Sequence, residues 1–291
     1  MAMPPERIVN SRPDREIRKK LLSPGDYDLV PYEDSRCKIV LSNVSCTNDA
    51  GKCDIEAESR IFSRDFDGNV LIGDSDCFID RDFELLLQQM CCGERCEASF
   101  IYRDEKGALV KQISFEVELK EVTEEQLISD WSSHRLYEAA QNHKECGVTL
   151  VKQNRIIDAF RRFSKALKLV IAIEPNDPDS IDDETIKEII GLKVKLYNNL
   201  AHCQLQYNEY EAALDLCNKA LKYDPDNAKS HYRRCIAYSG LQMYEKAWSD
   251  IQHTLKVDPS DKAAQKKAEL LKPKIEKVNS EYTGVIKKMF S

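Results

Sequence analysis

The chain has 291 residues, 42% apolar and 32% charged, with a net charge of −7 at neutral pH. That length suits about two domains with ordinary cores, and the acidic balance gives no electrostatic reason to bind nucleic acid. No apolar run is long enough to span a membrane, the start Met1-Ala2-Met3-Pro4-Pro5-Glu6 has no apolar signal core, and eleven cysteines without a paired framework suit free thiols in a cytoplasmic or nuclear setting.

Residues 1–30 are polar and hold Pro4, Pro5, Pro13 and Pro24. They read as a flexible N-terminal arm, with a helical turn at 16–22 at most. Residues 31–122 carry a period of two. Lys38-Ile39-Val40-Leu41 and Asn69-Val70-Leu71-Ile72 are short strands, and residues 95–103 form another. Asp104-Glu105-Lys106-Gly107 is a tight turn leading into the clearest strand. There Ile113, Phe115, Val117 and Leu119 alternate with Ser114, Glu116, Glu118 and Lys120, so one face is buried and one is wet. Phe83, Leu86, Leu87 and Met90 sit at helical spacing between these strands. The first half is thus an antiparallel sheet with one short helix.

From 123 to 291 the periodicity is helical. Thr123-Glu124-Glu125-Gln126 offers a capping box. Residues 175–184, with Pro175 and Pro178 among acids, read as a loop, and 261–291 as a capping helix kinked or broken at Pro273. Between them lies a degenerate repeat over about 140–173, 194–227 and 228–261. Gly147, Ala201 and Cys235 are equivalent small residues, each followed by aromatics and further alanines: Ala159, Phe163 and Ala166; Tyr210, Ala213 and Ala220; Tyr238, Tyr244 and Ala247. Ala201 and Cys235 lie 34 residues apart, the tetratricopeptide period. Gly147 and Ala201 lie 54 apart, one period plus an insertion. Stacked helical hairpins of this kind form grooves that bind peptides, so an adaptor is expected before an enzyme.

These motifs resemble a TPR immunophilin, in which an FKBP-type prolyl isomerase domain precedes three tetratricopeptide repeats and a final helix. The likeness rests on the acidic insertion, on Asn199-Leu200-Ala201 opening the second repeat and on Lys229-x-x-x-Arg233-Arg234 opening the third. In the first half it rests on Phe83 through Met90-Cys91-Cys92-Gly93-Glu94 and on the closing strand Phe115-Glu116-Val117-Glu118-Leu119. The resemblance implies an α+β fold, a degenerate FKBP-like antiparallel sheet followed by an all-α TPR array. It also implies a lost isomerase pocket. Phe83 stands where the family has tryptophan, Asp80 where it has an isoleucine whose amide holds the substrate carbonyl, and Leu41 where it has tyrosine. The family's long pocket loop is replaced by the turn at 104–107. Asp54 is the candidate for its pocket aspartate. An active peptidyl-prolyl isomerase is the rival reading.

In the family, a clamp of two lysines, an arginine and two asparagines holds the terminal carboxylate of an acidic chaperone tail, of the heat-shock protein 90 type, through charge-assisted bonds. The resemblance assigns Lys144, Asn199, Lys229 and Arg233 to four of those places. The fifth falls on Val148, which cannot donate. A non-catalytic family member partners a casein kinase I in circadian regulation, so a kinase client is the other expected partner. No cofactor, metal, nucleic acid or membrane is expected. The three clustered cysteines, Cys91, Cys92 and Cys96, lack the fourth ligand of a structural zinc site. The five histidines lie in helical segments without ligand spacing or a nucleophile. The basic face of the last helix fits either calmodulin or, by preference, plain solvation.

Overall fold

A computed structural model describes residues 6–27, 29–48, 51–52, 55, 59, 61–62, 65–123, 128–173 and 183–289. The chain divides into two compact units, Met1–Leu127 and Ile128–Ser291.

The first unit is an antiparallel sheet built from β1 (Arg7–Arg12), β2 (Arg15–Ser23), β3 (Arg36–Asn48), β4 (Gly51–Lys52), β5 (Phe66–Leu71), β6 (Arg95–Arg103) and β7 (Leu109–Thr123). The order is β1-β2-β6-β7-β3-β4, with β5 also paired to β3. Helix α1 (Phe78–Leu87) lies between β5 and β6 in sequence. The alternation in β7 holds throughout: Ile113, Phe115, Val117 and Leu119 are all buried, as are Cys96, Ala98 and Phe100 of β6 and Cys37, Ile39 and Leu41 of β3. Ile79, Phe83, Leu86 and Leu87 of α1 join that core along one helical face. The turn before β7 closes through Gly107 N–H to Asp104 C=O at 2.9 Å, with Asp104 Oδ1 accepting from Lys106 and Ala108.

Two expectations need correction here. The N-terminal segment is not a flexible arm, and 16–22 is not a helical turn. Both strands of that segment are in the sheet, β2 paired along β6 from Arg15 opposite Tyr102 to Ser23 opposite Arg95. Ile17 is buried in the core. Arg15 donates to Asp82 at 2.8 Å, and Lys19 reaches Glu94 at 2.6 Å. Two inward or rim-facing cations with buried partners thus replace apolar residues, which hides the alternation. The capping box expected at 123–126 lies mostly outside the described residues, and Thr123 itself ends β7. Nine of the described cysteines are free, and Cys46 is disulfide-bonded, against the expectation of free thiols throughout.

The second unit opens with a 3-10 turn at Ile128–Asp130 and continues as α2 (Ser133–Lys152), α3 (Ile156–Ala172), α4 (Asp183–Gln206), α5 (Tyr210–Tyr223), α6 (Ala228–Gly240), α7 (Tyr244–Val257) and α8 (Lys262–Met289). Ser132 caps α2 by accepting from Arg135 N–H. The hairpins are α2–α3, α4–α5 and α6–α7, with α8 packed on α7. The turn inside each hairpin has one non-glycine residue in the left-handed region: Asn154, Asn208 and Gln242, with φ of 61°, 60° and 61°. Their separations repeat the 54 and 34 residues read from Gly147, Ala201 and Cys235. Gly147 is where α2 meets α3: a β-carbon there would stand 2.5 Å from the Phe163 ring. Helix α8 continues through Pro273 rather than breaking. The acidic segment 174–182 lies outside the described residues. No helix among the described residues is long and apolar enough to cross a membrane.

Candidate functional site

In the second unit, a cavity of about 490 Å³ is lined by His202, Leu205 and Gln206 of α4, by Ala228, Lys229, Tyr232, Arg233 and Ile236 of α6, and by Asp258 and Asp261 around the α7–α8 junction. That volume is within the usual range for ligand sites. Helix periodicity places Lys229 and Arg233 four residues apart on one face of α6. Asn227 starts the helix by accepting from Ser230 N–H at 3.0 Å.

Arg233 is half-buried, and loss of hydration pulls its pKa below the usual arginine value. It stays charged. Its guanidinium donates to Asn198 Oδ1 at 3.2 Å, and no carboxylate pairs with it among the described residues. Lys229 is exposed and also has no ion-pair partner among them. Two cations therefore face one cavity, one of them desolvated and neither in a direct ion pair, while the two carboxylates of the lining, Asp258 and Asp261, accept from Ser260, Ala263 and Ala264. That arrangement favours an anion in the cavity.

The helix carrying them is firmly held. Arg234 donates to both carboxylate oxygens of Asp250, each at 2.8 Å. His231 bridges Asp250 Oδ1 and the Pro225 carbonyl, again at 2.8 Å each. This network ties α6 to α7 and to the turn before α6, so the cations are presented from a rigid element.

Of the four residues assigned to the clamp, Lys229 and Arg233 share the cavity. Lys144 and Asn199 do not line it. Lys144, on α2, is partly buried and stands 3.8 Å from Glu145. Asn199 is half-buried, and its amide has no hydrogen-bond partner among the described residues. Val148 is 36% exposed. Two residues were missed. Asn198 is buried and binds Val194 C=O, Ser230 and Arg233, so it positions the arginine. His202 lines the cavity. The tandem Asn198-Asn199 was the available signal, since adjacent helix residues point about 100° apart and serve different neighbours.

In the first unit, the three residues assigned to a degenerate pocket, Leu41, Asp80 and Phe83, are each buried. Leu41 and Phe83 are fully buried. The Phe62 ring packs edge-on against Phe83 at 5.3 Å, Phe115 at 4.8 Å and Phe100 at 5.8 Å between centroids. Asp80 is buried and accepts from Ser59 Oγ, which itself accepts from Ile61 and Phe62 N–H. Asp80 thereby pegs the segment that carries Phe62 into the aromatic cluster. Asp54 lies outside the described residues. Burial pushes the thiols of Cys37, Cys96, Cys217 and Cys235 up to about 12, so none of these is a thiolate at neutral pH.

The chain joins an FKBP-like domain to a tetratricopeptide array, an arrangement similar to that of TPR-containing immunophilins. Residues 11–124 match the family described as BDBT FKBP like N-terminal, and residues 194–227 match the tetratricopeptide repeat. Bride of doubletime of Drosophila melanogaster is 30% identical over 182 residues, covering 61% of this chain and 59% of that protein. Peptidyl-prolyl cis-trans isomerase FKBP4 of Rattus norvegicus is 27% identical over 154 residues, 53% of this chain and 32% of that protein. The chain thus spans between about a third and three fifths of these curated relatives. The crystal structure of residues 1–211 of CG17282 is similar with a TM-score of 0.52 and 26% identity, covering 67% of this chain and 91% of that one.

Proposed function

We propose that this protein is a non-catalytic FKBP-like adaptor or co-chaperone whose repeat groove holds the acidic, carboxylate-ended tail of a partner, of the heat-shock protein 90 type. The observation that carries this is the desolvated Arg233 beside Lys229, two cations without a carboxylate partner among the described residues, facing one cavity. Charge-assisted hydrogen bonds to a carboxylate would supply what both lack.

The reading of the first unit as inactive rests on the filled aromatic cluster. Phe62 occupies the space beside Phe83, and Asp80 is committed to Ser59. A prolyl ring needs an open apolar bowl. This unit then offers its outer surface to a second partner, for which a kinase of the casein kinase I class in circadian regulation is our candidate. The match of residues 11–124 to the BDBT FKBP like N-terminal family supports reading this unit as FKBP-like.

Calorimetry of the full chain against an acidic peptide with a free terminal aspartate tests the groove. Lys229→Glu should abolish binding without changing the melting temperature. Val148→Asn should tighten it about tenfold, by about 1.5 kcal/mol, through a restored donor to a charged group. Undiminished binding by Lys229→Glu would refute the assignment.

A further inference from the structure

The cavity holds an ionisable group outside the four clamp positions. His202 lies on α4, three residues beyond Asn199, and shares the cavity lining with Lys229 and Arg233 of α6. The side chain is half-buried, and its ring nitrogens have no hydrogen-bond partner among the described residues. A half-buried imidazole whose nitrogens have no protein partner among the described residues, beside two cations in one cavity lining, is available to a ligand of the groove. His231, by contrast, uses both nitrogens.

We propose that His202 is a proton-linked specificity residue of the groove, taking up a proton as an acidic peptide end binds and donating to it from α4. This rests on the reading of the groove as a carboxylate site. Burial, and then the charge of Arg233, lower the His202 pKa below the ordinary histidine value, so the ring is neutral in the empty groove at neutral pH. A carboxylate beside Arg233 offsets that charge and gives the imidazolium an acceptor, which raises the pKa in the complex. The remaining groups around the cavity are few. From α6 come Lys229, Arg233 and Tyr232, whose phenol burial raises, keeping it neutral. From the α7–α8 junction come Asp258, bonded to Ser260, and Asp261, capping α8 through Ala263 and Ala264. Neither carboxylate bonds to His202. The α4 wall adds only the uncharged Leu205 and Gln206.

The sign follows by linkage. The bound state has the higher pKa, so affinity is greatest below the free-state value and falls as pH rises through the bound-state value. Peptide carboxylates titrate near pH 4, below the window used.

The test is calorimetry of the full chain against an acetylated peptide ending Glu-Glu-Val-Asp, from about pH 5.5 to about pH 8, in two buffers of different ionisation heat. Wild-type protein should bind about three- to tenfold more weakly at the alkaline end and take up a fraction of a proton near neutrality. His202→Gln should bind with a flat profile and no uptake. In parallel, the His202 ring resonance of the wild-type protein should titrate at higher pH with peptide than without, a readout independent of any variant's folding. An unchanged pH slope in His202→Gln, or an unshifted ring titration, overturns the proposal while leaving the groove assignment in place if Lys229→Glu still abolishes binding. Absence of wild-type binding, or full binding by Lys229→Glu, overturns both.

Discussion

Arg15 of β2 donates to Asp82 of α1 at 2.8 Å, across 67 residues of sequence. The Asp82 side chain is only 2% exposed and also accepts from Tyr102 O–H at 3.0 Å. The N-terminal strand pair is therefore fastened to the core by a buried charge as well as by Ile17. Arg15→Ala should lower stability by about 3 kcal/mol, because it strands the Asp82 charge. Deleting residues 1–23 should do at least as much. Urea unfolding monitored in the first unit checks both, and a change below about 0.5 kcal/mol for Arg15→Ala would mean the pair is inert.

Phe62 is 2% exposed and touches three other phenylalanine rings. Phe62→Ala should lower stability by about 3–5 kcal/mol. The wild-type chain should leave the rate of a protease-coupled prolyl isomerisation assay at its uncatalysed value. Catalysis comparable with an active isomerase would show that the cluster is not a closed one.

Glu84 sits in α1, buried, accepting from Ser75 N–H at 3.0 Å. Desolvation raises its pKa above the ordinary carboxylate value, and the hydrogen bonds only partly oppose this. A raised native pKa means stability that is present below the unfolded value and lost as pH rises through the native one. Glu84→Gln should accordingly be more stable than wild type at neutral pH, with the gap closing toward about pH 4. Thermal unfolding across that range measures it, and a gap that widens on acidification would reverse the sign assigned here.

Gly147 tests the repeat register. Ala at this position would drive its methyl to 2.5 Å from the Phe163 ring, so Gly147→Ala should cost about 1–3 kcal/mol by overpacking, despite alanine's better helix propensity. Adding Phe163→Leu should return part of the loss. A double-mutant cycle with no coupling would place the two residues apart.

How much was legible follows from where each signal is local. The β7 alternation and the small-residue repeat are signals within single elements, and both survive intact in the buried residues. The β1–β2 hairpin was missed because its inward positions include Lys19, whose partner Glu94 is distant in sequence. In the site, the spacing of Lys229 and Arg233 was enough to place them on one helix face. The roles of Asn198 and His202 depend on what α6 brings against α4, which no single-helix pattern contains. The Phe62 peg was hidden likewise, since Ser59 and Asp80 meet only after α1 packs on the sheet.

The central claim is that the groove recognises a terminal carboxylate. It is tested most directly by comparing one acidic peptide with a free C-terminus against the same peptide carrying a C-terminal amide. The free acid should bind Lys229 and Arg233, and its affinity should weaken as salt screens the charges beyond roughly 8 Å at physiological strength. The amide should bind at least about tenfold more weakly, from loss of a charge-assisted contact. Equal affinity for the two peptides, or affinity indifferent to salt, would contradict a carboxylate site between α4 and α6.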